Sequence, residues 1–157
     1  MKKTAFRITG LLFLVAAMVG LMACGSEETV TYKGEQFGVS SEVTYVAKGD
    51  EVTKQTIKSD MPYSMLGVES KEEAEETLDD LFRSELEAFN DIEGVEIDLK
   101  YEDDKIAQTI AIDYSVADLE EIKSLPGADL EGPKDADYVS LEKSVKLLEN
   151  EGFEKVE

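Results

Sequence analysis

Histidine is absent from the 157 residues, cysteine occurs once, and basic residues number 16 against 36 acidic. Each shortage removes a class of chemistry. Without histidine the usual general base is missing. So are Ser-His and Cys-His nucleophile pairs and the common zinc ligand sets. One cysteine cannot close a disulfide within the chain, so the core must hold without one. No glycine-rich phosphate loop is present either. The deficit of positive charge, a formal net −20, argues against nucleic acid and against electrostatic adhesion to anionic lipid or teichoic acid. Solubility is the simplest use of such a field, and attraction of cations or of a basic partner is the alternative. Carboxylate pairs can hydrolyse glycosides unaided, but nothing in the pattern selects two acids out of 36. No enzymatic activity, catalytic residue, cofactor or metal site is therefore expected.

What is present begins with an address. Lys2, Lys3 and Arg7 form a basic n-region, residues 11–19 an apolar h-region, and Ala23 a small residue before a cleavage point. The apolar run over 8–23 is broken by Gly10 and Gly20 and is short for a span, which needs roughly 20 mostly apolar residues. Leu21, Met22, Ala23 and Cys24 then resemble the lipobox of bacterial lipoproteins. In that motif a diacylglycerol is attached to the cysteine thiol, and cleavage leaves the cysteine as the first residue. Two or three acyl chains, at about 0.8 kcal/mol per buried CH2, anchor stably where one is marginal. Cys24 is thus the predicted lipidation site. The expected place is the outer face of the cell membrane, held there through the lipid.

The expected organisation is a signal over 1–23, a lipidated N-terminus and tether over 24–28, and one domain over 29–157. Loss of the signal leaves 134 residues and a net charge of −23, with 13 basic residues against 36 acidic. That length suits a single domain. The four residues after Cys24 reach at most roughly 14 Å, so the domain is expected close to the bilayer.

Hydrophobic periodicity supplies the elements. Strands are predicted over 29–33, 39–47 and 52–58, the last two joined by a tight turn at Gly49 and Asp50. Residues 60–68 are apolar but carry Pro62 and Gly67, so an irregular segment is expected, plugging the core or forming a lid. Ser70 and Glu73 form a capping box before a helix to about Phe89, whose stripe is Ala74, Leu78, Leu81, Phe82, Leu86 and Phe89. Glu72, Glu76, Asp79 and Asp80 lie off that stripe and read as a solvated face rather than a cation site. A second hairpin is expected over 95–101 and 106–114. Asp50 and Asp104 sit at the two turns, and Gln55, Thr56 and Ile57 echo Gln108, Thr109 and Ile110. Ser115 is expected to cap a short helix ended by Pro126 and Gly127. A loop over 128–137 and a short edge strand at Tyr138 and Val139 follow. Ser140 should cap the last helix, which carries Leu141, Val145 and Leu148 and stops at Gly152 with Phe153 packed back on Leu148. The fold class is α+β: an antiparallel sheet of two main hairpins plus short flanking strands, with about three helices mainly on one face. Tyr32, Tyr45, Tyr101 and Tyr114 fall on strands, either as a binding platform or as amphipathic core at the helix–sheet margin.

The ordered set of local patterns resembles the YehR-like lipoproteins across the mature chain. It comprises Tyr45 with Lys48, Gly49 and Asp50; residues 52–56; Tyr63 through Val68 into Lys71 to Ala74; Asp113, Tyr114 and Ser115 leading to Asp118 and Leu119; Leu125, Pro126 and Gly127; and 144–149 with Gly152 and Phe153. The resemblance implies a small α+β lipoprotein domain at the cell envelope, with no agreed activity. Only Cys24 carries over as a functional residue. The expected function is a membrane-anchored, surface-exposed lipoprotein with a non-catalytic binding or accessory role. A small-ligand or divalent-cation binding protein is the alternative, and a carboxylate-based envelope hydrolase a weaker one. The expected partners are the membrane through Cys24 and another envelope protein or a small ligand, with no nucleic acid.

Overall fold

A computed structural model describes residues 26–123 and 137–157. The predicted signal, Cys24, Leu125, Pro126 and Gly127 lie outside them. Strands β1 (Glu27–Gln36), β2 (Val39–Lys48) and β3 (Glu51–Pro62) form a meander. The short helix α1 (Tyr63–Leu66) and the long helix α2 (Lys71–Asn90) follow. Strands β4 (Val95–Tyr101) and β5 (Lys105–Asp113) make the second hairpin. Helices α3 (Leu119–Lys123) and α4 (Leu141–Asn150) and the two-residue β6 (Glu154–Lys155) complete the chain. The sheet is antiparallel throughout, with strand order β4-β5-β3-β2-β1-β6. The two predicted hairpins are thus joined edge to edge through β3 and β5. The echoed residues meet there: Ile57 pairs with Ile110, and Gln55 and Gln108 pair with Ile112 and Ser59 respectively. That pattern places a local two-fold axis between Ile57 and Ile110.

The pleat divides the sheet into two faces. Tyr32, Val43, Tyr45, Ala47 and Val52 lie on the covered face, under α4, with Val139, Leu141, Leu148 and Phe153. Ile106, with Leu99 and Tyr101 beside it, packs against Tyr63, Val68 and Ala74, with Leu78 and Phe82 of α2. Ile92, Val95 and Ile122 close the end between them. The other face carries Thr31, Thr44, Lys54, Lys58, Asp98 and similar side chains, and among the described residues no helix covers it.

Several boundaries moved for physical reasons. β1 passes through Gly34, where a stop was expected, and turns at Phe37 and Gly38, both at positive φ. It also takes in Glu27 and Glu28, which pair with Lys48 and Ala47, so the end of the expected tether is already strand. β3 runs on through Pro62, pairing with Lys105, and Pro62 then precedes α1, which ends at Gly67 with φ +76. Proline and glycine here bound a short helix instead of preventing one. Ser70 Oγ accepts from the Glu73 N–H at 3.2 Å, but the Glu73 carboxylate reaches the Glu69 N–H at 2.8 Å, one residue earlier than a capping box requires. Ser115 does not cap α3. Its N–H bonds to Asp113, and Asp118 accepts from Glu120 at 2.8 Å in the capping position. Tyr138 and Val139 form no strand, although the Val139 carbonyl accepts from the Val52 N–H at 2.9 Å.

Asp50 is the residue whose role the sequence hid most completely. In the β2–β3 turn its carboxylate accepts from Ser140 Oγ and from the Glu142 N–H, each at 2.8 Å, and its carbonyl accepts from the Leu141 N–H at 2.8 Å. The turn therefore completes the N-terminus of α4, where free N–H groups and the helix dipole favour an anion. Asp50→Ala is expected to cost about 1–2 kcal/mol, read by urea unfolding. Asp50→Asn, which keeps the acceptor oxygen, should cost less.

Candidate functional site

The four tyrosines predicted on strands settle the first candidate, although Tyr114 lies one residue past the end of β5. All project from the covered face: Tyr32 and Tyr45 are buried, and Tyr101 and Tyr114 pack partly buried against the helices. Tyr32 donates to Glu149 Oε1 at 3.1 Å and Tyr114 to Gln55 Oε1 at 2.5 Å. They make no exposed platform. Burial pushes the Tyr45 hydroxyl up to about 12, a rise that a hydrogen bond to Ser144 opposes and the Glu151 charge reinforces. Burial, then Tyr45, pushes Tyr114 up as well. A phenol raised in the folded state stabilises fully below the unfolded value near 10, and this contribution is lost as pH rises towards 12. For Tyr45 it amounts to about 2–3 kcal/mol. Stability is expected to fall steeply between pH 10 and pH 12, and Tyr45→Phe should flatten the fall. Denaturation midpoints of both proteins across that range check it, and equal slopes would refute the assignment.

The open sheet face is polar and charge-paired. Lys33 lies 2.9 Å from Glu42, which Lys58 also approaches at 3.6 Å, and Lys54 lies 3.1 Å from Asp113. Lys54 and Lys58 are exposed, yet each faces a carboxylate. The hydrogen bond from Lys33 lowers the Glu42 carboxyl. Hydrogen bonding by Ser115, then Lys54, lowers Asp113. Both stay ionised at neutral pH, so neither holds a proton to give. A shallow depression of about 240 Å³ surrounds Glu42. A larger cleft of about 640 Å³ lies at the other end, where Lys54, Thr56, Glu96 and Asp113 meet the Asn90–Gly94 connection. Its polar groups of both signs suit a small polar molecule.

The predicted plug is confirmed. Tyr63 and Val68 are buried with Ala74 and Ile106, and Tyr63 donates to the Glu102 carbonyl at 2.6 Å. Met65, however, is 45% exposed. On α2, Glu72 and Glu76 face solvent, and no group of three potential metal ligands occurs among the described residues. Asp80's side chain lies outside the described set, as does Cys24. Among the described residues no helix is long and apolar enough to cross a membrane. The cleft was missed because it forms between a helix end and two distant strands, and no local spacing signals that.

Residues 28–154 match the family described as "Protein of unknown function (DUF1307)". The chain belongs to this family. The uncharacterized lipoprotein Lmo0207 of Listeria monocytogenes is 40% identical over 149 residues, covering 94% of each chain. The uncharacterized lipoprotein YehR of Escherichia coli is 27% identical over 147 residues, covering 91% of this chain and 94% of YehR. The NMR structure of E. coli YehR matches with a TM-score of 0.68 at 25% identity, over 84% of this chain and 92% of that one. The resemblance to YehR-like lipoproteins and the α+β antiparallel fold both hold.

Proposed function

We propose that this DUF1307 chain is a lipoprotein anchored through Cys24 on the outer face of the cell membrane, where it binds without catalysing. The carrying observation is the single thiol, Cys24, at the end of the apolar leader, with strand β1 beginning at Glu27. The names of the relatives support the anchor. The non-catalytic part rests on the absence of histidine and on a sheet face whose carboxylates are held ionised by lysines. Metabolic labelling with an alkyne fatty acid tests the anchor. The wild-type chain should take label and Cys24→Ala should take none; a labelled Cys24→Ala variant would overturn the proposal.

The cleft beside Gly94 favours a second reading, a small-ligand site. A thermal shift given by a divalent cation or an envelope metabolite, and abolished by Glu96→Ala, would move the binding function there.

A further inference from the structure

The turn at the end of β1 opposite Glu27 carries a residue that folding does not explain. Phe37 occupies the β1–β2 turn at φ +52 and is 92% exposed. The left-handed region is costly for a bulky side chain and routine for glycine, asparagine or aspartate. Phe37 therefore disfavours its own turn and gains almost no burial in return. Strain of this kind is kept where a surface is used. β1 is ten residues long, from Glu27 to Gln36, so the turn stands roughly 30 Å from Glu27 at about 3.3 Å per residue. The turn forms a tip at that end of the sheet.

The tip has a second apolar member, and its end of the sheet also carries acids. A Cβ at Gly38 would lie 3.6 Å from the Met65 sulfur, so the half-exposed thioether packs beside the turn. Phe37 and Met65 are both of the type that anchors interfaces. Glu151 is bonded to Gln36, the residue before Phe37, at 3.1 Å. Glu69, Asp103 and Asp104 line the depression beside α1. The nearby Lys105 is already occupied, lying 2.7 Å from Asp60 and 3.6 Å from Glu102. An aromatic anchor on the end of the sheet that also carries these acids complements an apolar pocket bordered by lysine and arginine. A second copy of this chain, at a net charge of −23 without the signal (13 basic residues against 36 acidic), repels these acids, and the bilayer lies at the opposite end of β1.

We infer that the Phe37–Met65 tip is a docking surface for a basic protein outside the membrane, with Phe37 inserted in the partner and Asp103 and Asp104 setting its charge preference. The inference rests on the anchored, non-catalytic reading above and gives it a partner class. The test places the photo-crosslinking residue p-benzoylphenylalanine at position 37 of the full chain in intact cells, with the exposed Tyr138 position as control. Fatty-acid labelling of the same variants reads the anchor separately. Labelled protein without an adduct sinks the docking surface alone, and unlabelled protein sinks the anchor. The expected result is a discrete adduct from position 37 and none from 138. Its acceptor peptide should carry lysine or arginine, and its yield should fall about tenfold on combining Asp103→Lys with Asp104→Lys. An adduct only to lipid or to a second copy, an adduct indifferent to charge reversal, or no adduct overturns the inference. Phe37→Asn should leave the melting temperature unchanged or raised; a clear fall would make Phe37 a structural residue and overturn it too.

Discussion

Phe153→Ala is expected to destabilise the domain by about 3–5 kcal/mol, a large share of the roughly 5–15 kcal/mol typical of a native protein. Phe153 follows the stop of α4. The Gly152 N–H bonds to the Glu149 carbonyl at 3.1 Å and the Phe153 N–H to the Leu148 carbonyl at 2.9 Å, the two bonds of a Schellman motif. The ring is buried with Leu148, Tyr32 and Tyr45, and it lies flat against Gly34 of β1. A Cβ added at Gly34 would meet three ring carbons at 2.6, 2.7 and 2.8 Å. Glycine 34 is therefore the floor of the Phe153 site, and β6 pairs with β1 immediately beside it at Tyr32 and Lys33. Gly34→Ala alone should cost about 1–3 kcal/mol by overpacking. Made in the Phe153→Ala background, the same change meets no ring and should be neutral or favourable, because glycine weakens a strand interior by roughly 0.5–1 kcal/mol relative to alanine. Urea unfolding of the four proteins measures the coupling. Additive costs would show that the ring does not rest on Gly34.

Half of that arrangement was readable from the chain. Gly152 at the helix stop and Phe153 returning to Leu148 follow from a local rule, and so does Ser140 as the α4 cap, whose Oγ accepts from the Lys143 N–H at 3.3 Å. Strand alternation puts Val43 and Tyr45 on a common face, which the structure shows to be buried, and the Gly49–Asp50 turn fell where the pairing of Lys48 with Glu51 puts it. The other half depends on residues far apart in sequence. The partner of Phe153 is a glycine nearly the whole domain away, and a glycine in a strand signals close approach without naming what approaches. Asp50 looked like a turn residue because it is one; its capping of α4 appears only when the sheet is folded. The strand tyrosines show the same limit. Period two puts them on one face, but which face the helices cover is a tertiary outcome. As for the site, Cys24 is legible because its motif is contiguous. The cleft and the Phe37 tip are not, since one is made by juxtaposition and the other by a turn at positive φ between two predicted strands.

Gly94→Ala should be nearly as damaging, at about 2–5 kcal/mol, the sum of left-handed backbone strain and overpacking. Gly94 has φ +81 and joins the end of α2 to β4. Its carbonyl accepts from the Asp113 N–H at 2.8 Å, which ties the connection to the end of β5. An added Cβ would stand 2.6 Å from Val116 Cγ2, 2.9 Å from the Asp113 carbonyl oxygen and 3.1 Å from the Ala117 nitrogen. The first obstacle is an exposed side chain that can be removed; the other two are backbone. Val116→Ala by itself should cost little, Val116 being exposed. Combined with Gly94→Ala it should recover only the Val116 share of the loss, leaving the strain and the collision with Asp113. Full recovery in the double variant would mean that the backbone yields freely there. Partial recovery would mean that the wall of the 640 Å³ cleft is rigid. That distinction bears on function, because a rigid wall keeps Lys54, Thr56 and Glu96 at a fixed spacing before any small molecule arrives, and a preformed site binds with less ordering cost than one that must assemble.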